Sequence, residues 1–587
     1  MNWRLKEKAP KEFLEKFPQY SPLVLQLLYD RELKTQVLID EFFNPDYESD
    51  LHDPFLMKGV KEAVKEIKKA IKKQKKIIIY GDYDADGICS SVILLETLKK
   101  LGAKNIDVYI PDRSREGYGL NKEAVKKLAE KGIQLIITVD CGITDFEEIE
   151  LAKKSGMETI VVDHHRVLEK IPKAKVVIDP HQAGDKYPFK ELAAVGVVFK
   201  LISALIKDEK EIEEGFSKWF LDLVALATVA DMMPLLGENR TLVKYGLVVL
   251  VQTKRIGLKE LMKVSRITDY NLEVINNGNG QIEHKVNGLD SWTFAFALAP
   301  RINVAARLES ADAAYRLLIT ESEDEAKEIA LQLEKLNRQR QQSVEKIVKE
   351  IEARLSSKEL PIVIFEADEN WPRGLVGLVA SKISEKYFRP AFIFNINENK
   401  YNGSARSVKG FNLVEAISQA ADLLEEFGGH PGAAGLTVLK ENFEKSKERI
   451  SVHAEKKLKN LDLTPQIEID VQLDLDQIAW SNYDQVQKFA PFGKLNPEPL
   501  FLTKGLEIVD LRLVGKNNKH LKLELFGPLK VNSQQMKKVK AIGFCLAEKC
   551  PDLKKGDLVD LVYEFIIDQW NGTRDLQLKI VDIKKVV

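Results

Sequence analysis

The segment IIIYGDYDADG, residues 77–87, joins a strand-like apolar run to three closely spaced aspartates. Its first four residues are apolar and suit a buried strand, and Asp82, Asp84 and Asp86 follow at intervals of two residues. Side chains alternate along an extended chain, so these carboxylates would all leave the same face of it. The segment therefore predicts a strand whose carboxyl end carries concentrated negative charge.

The residues that follow this segment predict a parallel α/β sheet. Strand-like runs alternate with helix-like runs of about 10–15 residues, a pattern typical of βαβ units. The strand-like runs are KIIIY, IDVYI, LIITVD, ETIVVD and KVVID. Neither GxxxxGK[ST] nor GxGxxG follows the first of them. The signatures of mononucleotide- and dinucleotide-binding folds are therefore missing.

Acidic residues also end two of the later strands. Asp140 lies in TVDCG, and Asp163 precedes His164 and His165 in VVDHH. Ligands of parallel sheets bind at the carboxyl ends of the strands, where these side chains would converge. A single aspartate after a strand is most often a helix cap, and a pair of histidines usually lies on the surface or in the core. Acids at three strand ends together with a histidine pair favour a shared site instead.

Such a cluster is unstable without compensating positive charge. Two carboxylates about 5 Å apart repel each other by roughly 3 kcal/mol at an effective dielectric constant of about 20. Carboxylates combined with imidazole favour Mn²⁺ among the hard divalent ions, with Mg²⁺ possible. Asp140 is a natural bridging ligand, and a pair of metal ions is the usual device for phosphoester cleavage. We therefore predict a pair of divalent metal ions, with Mn²⁺ as the preferred ion and Mg²⁺ as the alternative.

The rest of the chain indicates several domains. Asp231 lies in an apolar helical run, and an unpaired carboxylate there would be expensive to bury.

The sequence pattern of residues 464–587 indicates short strands, which are compatible with an oligonucleotide-binding (OB) type of barrel. The predicted segments are an N-terminal extension at 1–55, a parallel-sheet domain at 56–320, a connecting helix at 321–358 with a polar middle (NRQRQQS), a smaller α/β domain at 359–463 and the all-β domain at 464–587.

Composition narrows the class of protein. The chain has 44% hydrophobic and 30% charged residues, values that suit a folded protein rather than a disordered one. Its net charge of −1 neither indicates nor excludes nucleic-acid binding, because a groove needs only a local patch. The four cysteines lack zinc-site spacing, and no signal peptide or membrane span is recognisable. We expect a cytoplasmic protein with reduced thiols.

The motifs, taken in order, resemble those of the DHH phosphoesterase superfamily, which is named for the run seen here at residues 163–165. They are GDYDADG, DRSREGYGL, VDCG, VVDHH, TVADMMPL, PRINVAARL, GSARS, GGHPGAAG and PFGKLNPEPLF. Within that superfamily the chain is most similar to the bacterial RecJ family of single-strand-specific DNA exonucleases, from about residue 50 onward. The resemblance implies a parallel-sheet DHH domain, a connecting helix, a DHH-associated substrate-binding domain and an OB-like domain.

The resemblance also implies roles for individual residues. Asp82 would orient the attacking water, Asp163 would support the site, and His165 would face the scissile phosphate. The implied metal ligands are Asp84, Asp86, Asp140, His164 and Asp231. The implied substrate contacts are Arg113, Arg301, Asn303, Arg307, Ser404, Arg406, Gly428, Gly429 and His430. Tyr80 stands where pyrophosphatase relatives have a metal-binding histidine, so the first metal site would have one protein ligand fewer.

The function expected from this resemblance is metal-dependent 5′-to-3′ hydrolysis of single-stranded DNA in recombination and repair. One alternative is an oligoribonuclease or cyclic-dinucleotide phosphodiesterase of the same superfamily, and another is a non-catalytic nucleic-acid scaffold. The extra β-rich domain argues against the first alternative, and the intact acidic motifs argue against the second. The family further implies a single-strand-binding protein and a helicase as partners. We expect no association with a membrane.

Overall fold

A computed structural model describes residues 1–113, 115–168, 170–276, 282–356, 359–459, 461, 463–528, 536–568 and 574–586. The last two residues of the segment predicted at 321–358, and residue 587 at the end of the predicted all-β domain, lie outside this range. The chain divides into two compact units, which are described separately. One unit comprises Met1–Leu51, Met232–Lys244 and Gln466–Val587, and the other comprises His52–Asp231 and Tyr245–Pro465.

The secondary-structure elements are numbered in chain order. The strands are β1 (Asn2–Leu5), β2 (Ile77–Gly81), β3 (Ile106–Tyr109), β4 (Leu135–Val139), β5 (Glu158–Val162), β6 (Val176–Ile178), β7 (Asn271–Asn276), β8 (Ile282–Asn287), β9 (Ile364–Asp368), β10 (Ala391–Asn397), β11 (Lys400–Arg406), β12 (Leu424–His430), β13 (Ala433–Leu439), β14 (Gln466–Ile469), β15 (Val471–Gln472), β16 (Phe501–Val514), β17 (His520–Pro528), β18 (Met536–Gly543), β19 (Leu558–Asp568) and β20 (Asp575–Lys585). The α-helices are α1 (Lys11–Lys16), α2 (Pro22–Asp30), α3 (Gln36–Phe43), α4 (Val60–Lys72), α5 (Ala85–Lys100), α6 (Lys122–Glu130), α7 (Phe146–Lys154), α8 (Ala194–Ile206), α9 (Leu221–Ala230), α10 (Gly237–Val251), α11 (Ile256–Val264), α12 (Ala299–Leu308), α13 (Asp312–Ile319), α14 (Glu323–Ser356), α15 (Val376–Tyr387), α16 (Leu413–Ser418), α17 (Phe443–Leu458) and α18 (Trp480–Gln487).

The first sheet of the larger unit is parallel throughout, as predicted. Its strand order is β3-β2-β4-β5-β6, so the connections leave β2 and β4 in opposite directions across the sheet. A crevice forms at such a switch point, outside the carboxyl ends of the two strands. The ladder pairs Gly81 with Val139 and Val139 with Val162, so the residues that follow these strands lie in one row.

Helix α5 begins directly behind this row because Gly87 allows a close approach. A Cβ atom at Gly87 would lie 2.5 Å from both the backbone nitrogen and the backbone oxygen of Asp82. Glycine therefore lets the first turn of α5 pack against the loop that carries the aspartates. Most side chains of α5 are buried, which fixes that loop to the core.

The same unit contains a second, mixed sheet with strand order β12-β13-β11-β10-β9. Only β9 and β10 of this sheet run parallel, and its other neighbours are antiparallel. Helix α14, 34 residues long, leads to this sheet from the parallel-sheet region. Its buried apolar residues lie towards its two ends, Ala326–Leu336 and Val344–Leu355, with the polar stretch between them.

The other unit is built around a closed barrel. Strands β16, β17, β18, β20 and β19 follow one another, and β16 pairs again with β19 to complete the circle. Closure leaves no exposed barrel edge, as in OB folds. The predicted fold class is thus confirmed for both the parallel sheet and the barrel.

Residues 1–51 share the hydrophobic core of the barrel unit. Leu27 and Phe42 pack in the same buried cluster as Phe501 and Tyr563. The buried guanidinium of Arg240 donates to the carbonyl oxygens of Phe42 and Ala490, each at 2.7 Å. The N-terminal segment therefore packs within this unit. No helix in the described ranges of the chain combines the length and apolar character needed to cross a membrane.

Candidate metal centre and anion-binding pocket

A cavity of about 270 Å³ opens at the switch point between β2 and β4. Carboxylates and the imidazole of His165 line one part of it, and arginines with an asparagine line another. The lining residues are Asp82, Tyr83, Asp84, Arg113, Tyr118, Asp140, His165, Asp231, Asn303, Ala306 and Arg307. All of them belong to the larger unit.

The three aspartates after β2 do not share one face. Asp84 is the N-cap of α5, and its Oδ1 accepts hydrogen bonds from the backbone N–H groups of Asp86 at 2.8 Å and Gly87 at 3.3 Å. Because the helix begins at Ala85, the two-residue period of an extended chain ends there. The expectation of a common face was therefore wrong, and the carboxylates separate into two neighbouring groups.

Asp86 points towards the amino end of α8. Its two oxygens accept hydrogen bonds from the backbone N–H groups of Ala194 and Val195, both at 2.8 Å. The positive end of the helix dipole stabilises a carboxylate in this position. The interaction fixes Asp86 beside His164 and Asp231, the latter at the C-terminal end of α9.

Asp140 lies between the two groups. It follows β4 in a left-handed conformation with φ of 62°, which aspartate tolerates better than most residues. Its backbone N–H donates to the oxygen of Val162 at 3.1 Å. Potential ligand atoms lie within 4.8 Å of one another in three sets: Asp82, Asp84 and Asp140; Asp86, His164 and Asp231; and Asp140, His164 and His165.

His164 presents a free ring nitrogen to this centre. Its Nδ1 lies 3.1 Å from the carbonyl oxygen of Leu192, so we assign the proton to Nδ1, which leaves the lone pair on Nε2. This Nε2 is buried without a hydrogen-bond partner among the described residues, and it lies 3.4 Å from Oδ1 of Asp140. Burial and the charge of His165 lower the pKa of His164 to about 4. The ring is therefore neutral, as a metal ligand must be.

Within the described residues the positive charges near the centre, Arg113 and His165 beside Asp82, do not offset the burial and mutual repulsion of its carboxylates. Burial first, and repulsion by neighbouring carboxylates second, raise the pKa of Asp82, Asp86 and Asp140 well above the usual range. Oδ1 of Asp82 is buried and has no hydrogen-bond partner in the described part of the chain. Carboxylate oxygens, that of Asp82 among them, and a neutral imidazole form a donor set that fits Mn²⁺ or Mg²⁺.

Asp163 and His165 form an ion pair at the edge of the centre. The ring Nδ1 of His165 lies 2.8 Å from Oδ1 of Asp163. Burial opposes ionisation of Asp163, but the hydrogen bond and charge of His165 outweigh it and lower the pKa of Asp163 to about 2. Against the effect of burial, the same pair raises the pKa of His165 to about 9. The half-exposed imidazole is therefore protonated at neutral pH.

Tyr118 was missed by the sequence analysis, although it lies in the quoted motif DRSREGYGL. Its hydroxyl donates to the backbone oxygen of Asp140 at 3.0 Å and lies 3.2 Å from Nδ1 of His165. Tyr118 thus connects the two sides of the acidic centre. A single tyrosine after a glycine gives no signal of such a contact in the sequence.

Arginines without carboxylate partners lie opposite the acids. Arg113 lies over the ring of Tyr83, at 5.0 Å from its centroid, and Arg307 of α12 donates to the oxygen of Gly374 at 3.3 Å. Burial, and next the charge of Arg113, lower the pKa of Arg307 to about 10 and also lower that of Arg406. We call Arg113, Arg307, Arg406 and Arg340 of α14 the arginine cluster; across the described ranges none of the four has an ion pair within 4.0 Å.

Other predicted substrate contacts have different surroundings. Asn303 accepts a hydrogen bond from the N–H of Ala85 at 2.8 Å, which links α12 to the aspartate loop. Ser404 and Arg406 lie beside the first turn of α15: a Cβ atom at Gly377 would be 3.4 Å from the serine Oγ and 3.5 Å from the arginine Nη2. The amino end of a helix is favourable for anions.

Six predicted contacts, among them Ser404 and Arg406, and Tyr80 are not among the residues that line the cavity. Arg301 is ion-paired with Glu334 at 2.7 Å. Residues 428–430 lie on the exposed edge strand β12. The buried hydroxyl of Tyr80 donates to the oxygen of Gly119 at 3.1 Å, so its side chain is occupied elsewhere than at the acidic centre.

Comparisons with known proteins agree with this architecture. Family models match at residues 76–228 (DHH family, N-terminal domain), 359–457 (DHHA1 domain) and 469–582 (RecJ OB domain). The single-stranded-DNA-specific exonuclease RecJ of Bacillus subtilis (strain 168) is 38% identical over 565 residues, which cover 96% of this chain and 68% of the relative.

Solved structures extend the similarity to metal-bound proteins. The crystal structure of RecJ from Thermus thermophilus in complex with Mn²⁺ matches with a TM-score of 0.81 and 28% identity, covering 100% of this chain and 80% of that one. The corresponding complex with Mg²⁺ matches with a TM-score of 0.75 and 27% identity, covering 100% and 79%. Mn²⁺ and Mg²⁺ were predicted as alternative metal cofactors, and a similar protein binds each of them.

Proposed function

The chain belongs to the RecJ family of single-stranded-DNA-specific exonucleases, and from this premise we propose that it hydrolyses phosphodiester bonds of single-stranded DNA in recombination and repair. The observation that carries the proposal is the meeting of three sets of metal-ligand atoms, each within 4.8 Å, at the switch point of the parallel sheet. Arginines of the same cavity suit the phosphates of the strand.

We assign two divalent metal ions to these sets. Asp84 and Asp140 would hold the first, and Asp86, Asp140, His164 and Asp231 would hold the second. Metal ions in such a pair supply a nucleophilic water and neutralise charge on the phosphate oxygens. The exclusion of Tyr80 from the cavity supports a first site with fewer protein ligands than the second.

The chain's own groups would complete the reaction around the phosphate. The unpartnered oxygen of Asp82 is suited to orient the attacking water. The imidazolium of His165, kept protonated by Asp163, would stabilise the developing charge or give its proton to the leaving oxygen. Arg113 and Arg307 would hold phosphate oxygens, and Asn303 would keep α12 aligned with the aspartate loop.

Recognition of a 5′ end is assigned to Arg406 and Ser404. A terminal phosphate carries more charge than an internal phosphodiester, so a guanidinium beside a helix amino end binds it preferentially. Arg406 has no carboxylate partner in the described ranges, and burial lowers its pKa. An anion would therefore relieve an uncompensated charge. The exposed edge of β12, with Gly428, Gly429 and His430, is proposed as a further contact of the strand.

The barrel would also bind single-stranded DNA, since OB folds stack bases and follow the backbone electrostatically. A single-strand-binding protein and a helicase are proposed partners, on the family resemblance alone. A cytoplasmic location is proposed because DNA is the substrate and the described cysteines, Cys89 and Cys141 among them, form no disulfide.

A digestion experiment with end-labelled oligonucleotides tests the function. Single strands and duplexes labelled at the 5′ or the 3′ end are incubated with Mn²⁺, with Mg²⁺ and with EDTA. We expect a 5′ label on single strands to be released at once as a mononucleotide, and a 3′ label to persist on shortening products. Preference for short oligoribonucleotides or cyclic dinucleotides would replace the proposal, and binding without cleavage would indicate a scaffold.

A further inference from the structure

The loop between β3 and α6 brings two side chains to the cavity. Its described residues are 110–113 and 115–121, and among these Arg113 and Tyr118 line the cavity. The Tyr118 hydroxyl donates to the backbone oxygen of Asp140 at 3.0 Å and lies 3.2 Å from Nδ1 of His165. Its ring also meets the ring of His165 edge-on, with centroids 5.7 Å apart. One side chain therefore restrains two groups of the acidic centre.

The contact with Asp140 supports an unfavourable backbone conformation. Asp140 has φ of 62°, in the left-handed region that crowds the Cβ atom of a non-glycine residue. Its carboxylate belongs to two of the three ligand sets. The Tyr118 hydroxyl holds the carbonyl group of this residue, and the oxygen of Val162 holds its N–H group. The hydroxyl thus stabilises the conformation that presents the shared carboxylate to the cavity.

A carboxylate fastens the loop at both ends. Oε1 of Glu116 accepts hydrogen bonds from the hydroxyl of Tyr109 at 2.6 Å and from the side-chain amide of Asn121 at 3.2 Å. Its Oε2 accepts from the backbone N–H of Asp112 at 2.8 Å. Tyr109 ends β3, and Asn121 is the N-cap of α6. Glu116 therefore joins the strand, the helix and the loop between them, which fixes the path of the chain around Tyr118.

A second hydroxyl holds the residue next to Tyr118. Tyr80 of β2 is fully buried, its ring stacks on that of Tyr109 with centroids 5.1 Å apart, and its hydroxyl donates to the oxygen of Gly119 at 3.1 Å. Gly119 has φ of 80°, and a Cβ atom there would lie 2.7 Å from Oδ2 of Asp145. The chain directly after Tyr118 is therefore confined from two sides.

We propose that Tyr118 is a positioning residue of the metal centre, which fixes the shared ligand Asp140 and the imidazole of His165. Tyr80 acts through Tyr118, because it holds the residue that follows it. The inference rests on the two-metal assignment of the proposed function, which takes Asp140 as the shared ligand. Replacing a residue that orients metal ligands typically weakens metal binding by about 10- to 100-fold.

The test measures Mn²⁺ binding by calorimetry, without DNA, for the wild type, Tyr118→Phe and the control Tyr563→Phe. Each variant loses one hydroxyl and keeps its ring, and the hydroxyl of Tyr563 is buried in the barrel, 2.9 Å from Oγ1 of Thr503. We expect Tyr118→Phe to weaken Mn²⁺ binding about tenfold. Tyr563→Phe should lower the melting temperature and leave Mn²⁺ binding unchanged. Wild-type affinity in Tyr118→Phe, or equal weakening in both variants, would overturn the inference.

Steady-state kinetics on a single-stranded oligonucleotide separate positioning from substrate binding. For Tyr118→Phe, the Mn²⁺ concentration that gives the half-maximal rate should rise about tenfold, in parallel with the calorimetry. At saturating Mn²⁺ we expect kcat to fall about fivefold, because the imidazole of His165 is less restrained, and KM for the strand to change by less than about twofold. A raised KM with unchanged Mn²⁺ dependence would show instead that Tyr118 binds the strand, and the positioning role would be wrong.

Tyr80→Phe tests the order in which the two hydroxyls act. It removes one oxygen outside the cavity lining and keeps the stacked ring. We expect Mn²⁺ binding to weaken about threefold, with no further loss when Tyr80→Phe is added to Tyr118→Phe, because both act through one contact. Additive losses would overturn the assignment of Tyr80. If thermal unfolding shows that Tyr118→Phe does not fold, wild-type Mn²⁺ affinity in Tyr80→Phe would overturn the inference by itself.

The outcomes separate this inference from the function on which it rests. A wild type that binds Mn²⁺ but does not digest single strands would contradict the proposed function, and the calorimetric comparison would still decide the role of Tyr118. A wild type that digests single strands, together with a Tyr118→Phe variant that binds Mn²⁺ normally, would contradict only the role of Tyr118.

Discussion

The acidic centre and the arginine cluster, of which Arg113 and Arg307 line the same cavity as the acids, are assembled in different ways. The acids follow neighbouring strands of one sheet, and the ladder register with backbone N–H groups places them. The arginines come from a loop, two helices and a strand, and carbonyl groups, an amide and an aromatic ring hold them. The two sets offset each other only in part: Arg113 acts on Asp82, and Asp84 and Arg307 act on each other.

This difference teaches what each set requires from outside the protein. A group of buried carboxylates with raised pKa values is stabilised by cations, and a group of arginines without carboxylates is stabilised by anions. A pair of divalent metal ions and a polyanionic strand supply both. The following predictions test whether the two sets have these separate roles.

Asp140→Ala should have the largest effect, because it removes the carboxylate shared by two of the ligand sets. We expect turnover in Mn²⁺ to fall by at least about a thousandfold, as when a key electrostatic group of an active site is lost. Calorimetry should register fewer bound metal ions while circular dichroism is unchanged. Asp107→Ala, on the exposed side of β3, is the control. Near-normal cleavage by Asp140→Ala would rule out the shared-ligand assignment.

Arg406→Ala should affect one kind of strand end. Charge-assisted hydrogen bonds contribute roughly 1.5–3 kcal/mol each, so digestion of 5′-phosphorylated strands should slow by about ten- to a hundredfold. Strands with a 5′-hydroxyl should be affected less. The two substrates are compared at low concentration, where the rate reports kcat/KM. Equal slowing of both would mean that Arg406 holds the backbone generally.

Arg307→Gln and Arg301→Gln should differ in their effect on KM, because the two arginines of α12 have different partners. Arg307 lines the cavity without an ion pair in the described ranges, so its loss should raise KM about tenfold. Arg301 is already paired with Glu334, and we expect its loss to raise KM by less than about threefold. Steady-state kinetics on one oligonucleotide decides the order. A larger increase in KM for Arg301→Gln than for Arg307→Gln would support the direct substrate contact that the family resemblance implies for Arg301.

Asp140→Asn should have the smallest effect, on stability without metal. Burial and repulsion raise the pKa of Asp140 in the folded state, so the folded wild type loses stability as pH rises from the unfolded pKa through the raised one. Asparagine stays neutral and also tolerates the left-handed backbone. In EDTA at pH 8 the variant should unfold a few degrees above the wild type, and the gap should narrow towards pH 4.

The same measurement with Mn²⁺ should reverse the order, because only the wild type retains the shared carboxylate that the metal stabilises. Asp107→Asn should behave as the wild type under both conditions. A variant that is less stable than the wild type in EDTA at pH 8 would show that the acidic centre is compensated within the protein.

The sequence by itself determined the parallel sheet, the barrel and the position of the acidic centre. Continuous apolar runs identify buried strands, and parallel strands bring their carboxyl ends to one edge. The convergence of Asp82, Asp140 and Asp163 therefore follows from local pattern and topology. Period-two alternation failed for Asp86 because α5 begins at Ala85, and the pattern alone does not fix that boundary.

Only the tertiary structure decided which arginines face the cavity. Arg301 and Arg307 lie six residues apart on one helix. Arg301 is ion-paired with Glu334, whereas Arg307 lines the cavity without an ion pair in the described ranges. Arg338 and Arg340 are separated by a single residue, yet Arg338 is ion-paired with Glu334 and Arg340 contacts the amide of Asn337. Whether a long, flexible side chain is neutralised depends on partners that are distant in sequence and brought near by packing. Local periodicity carries no information about such contacts.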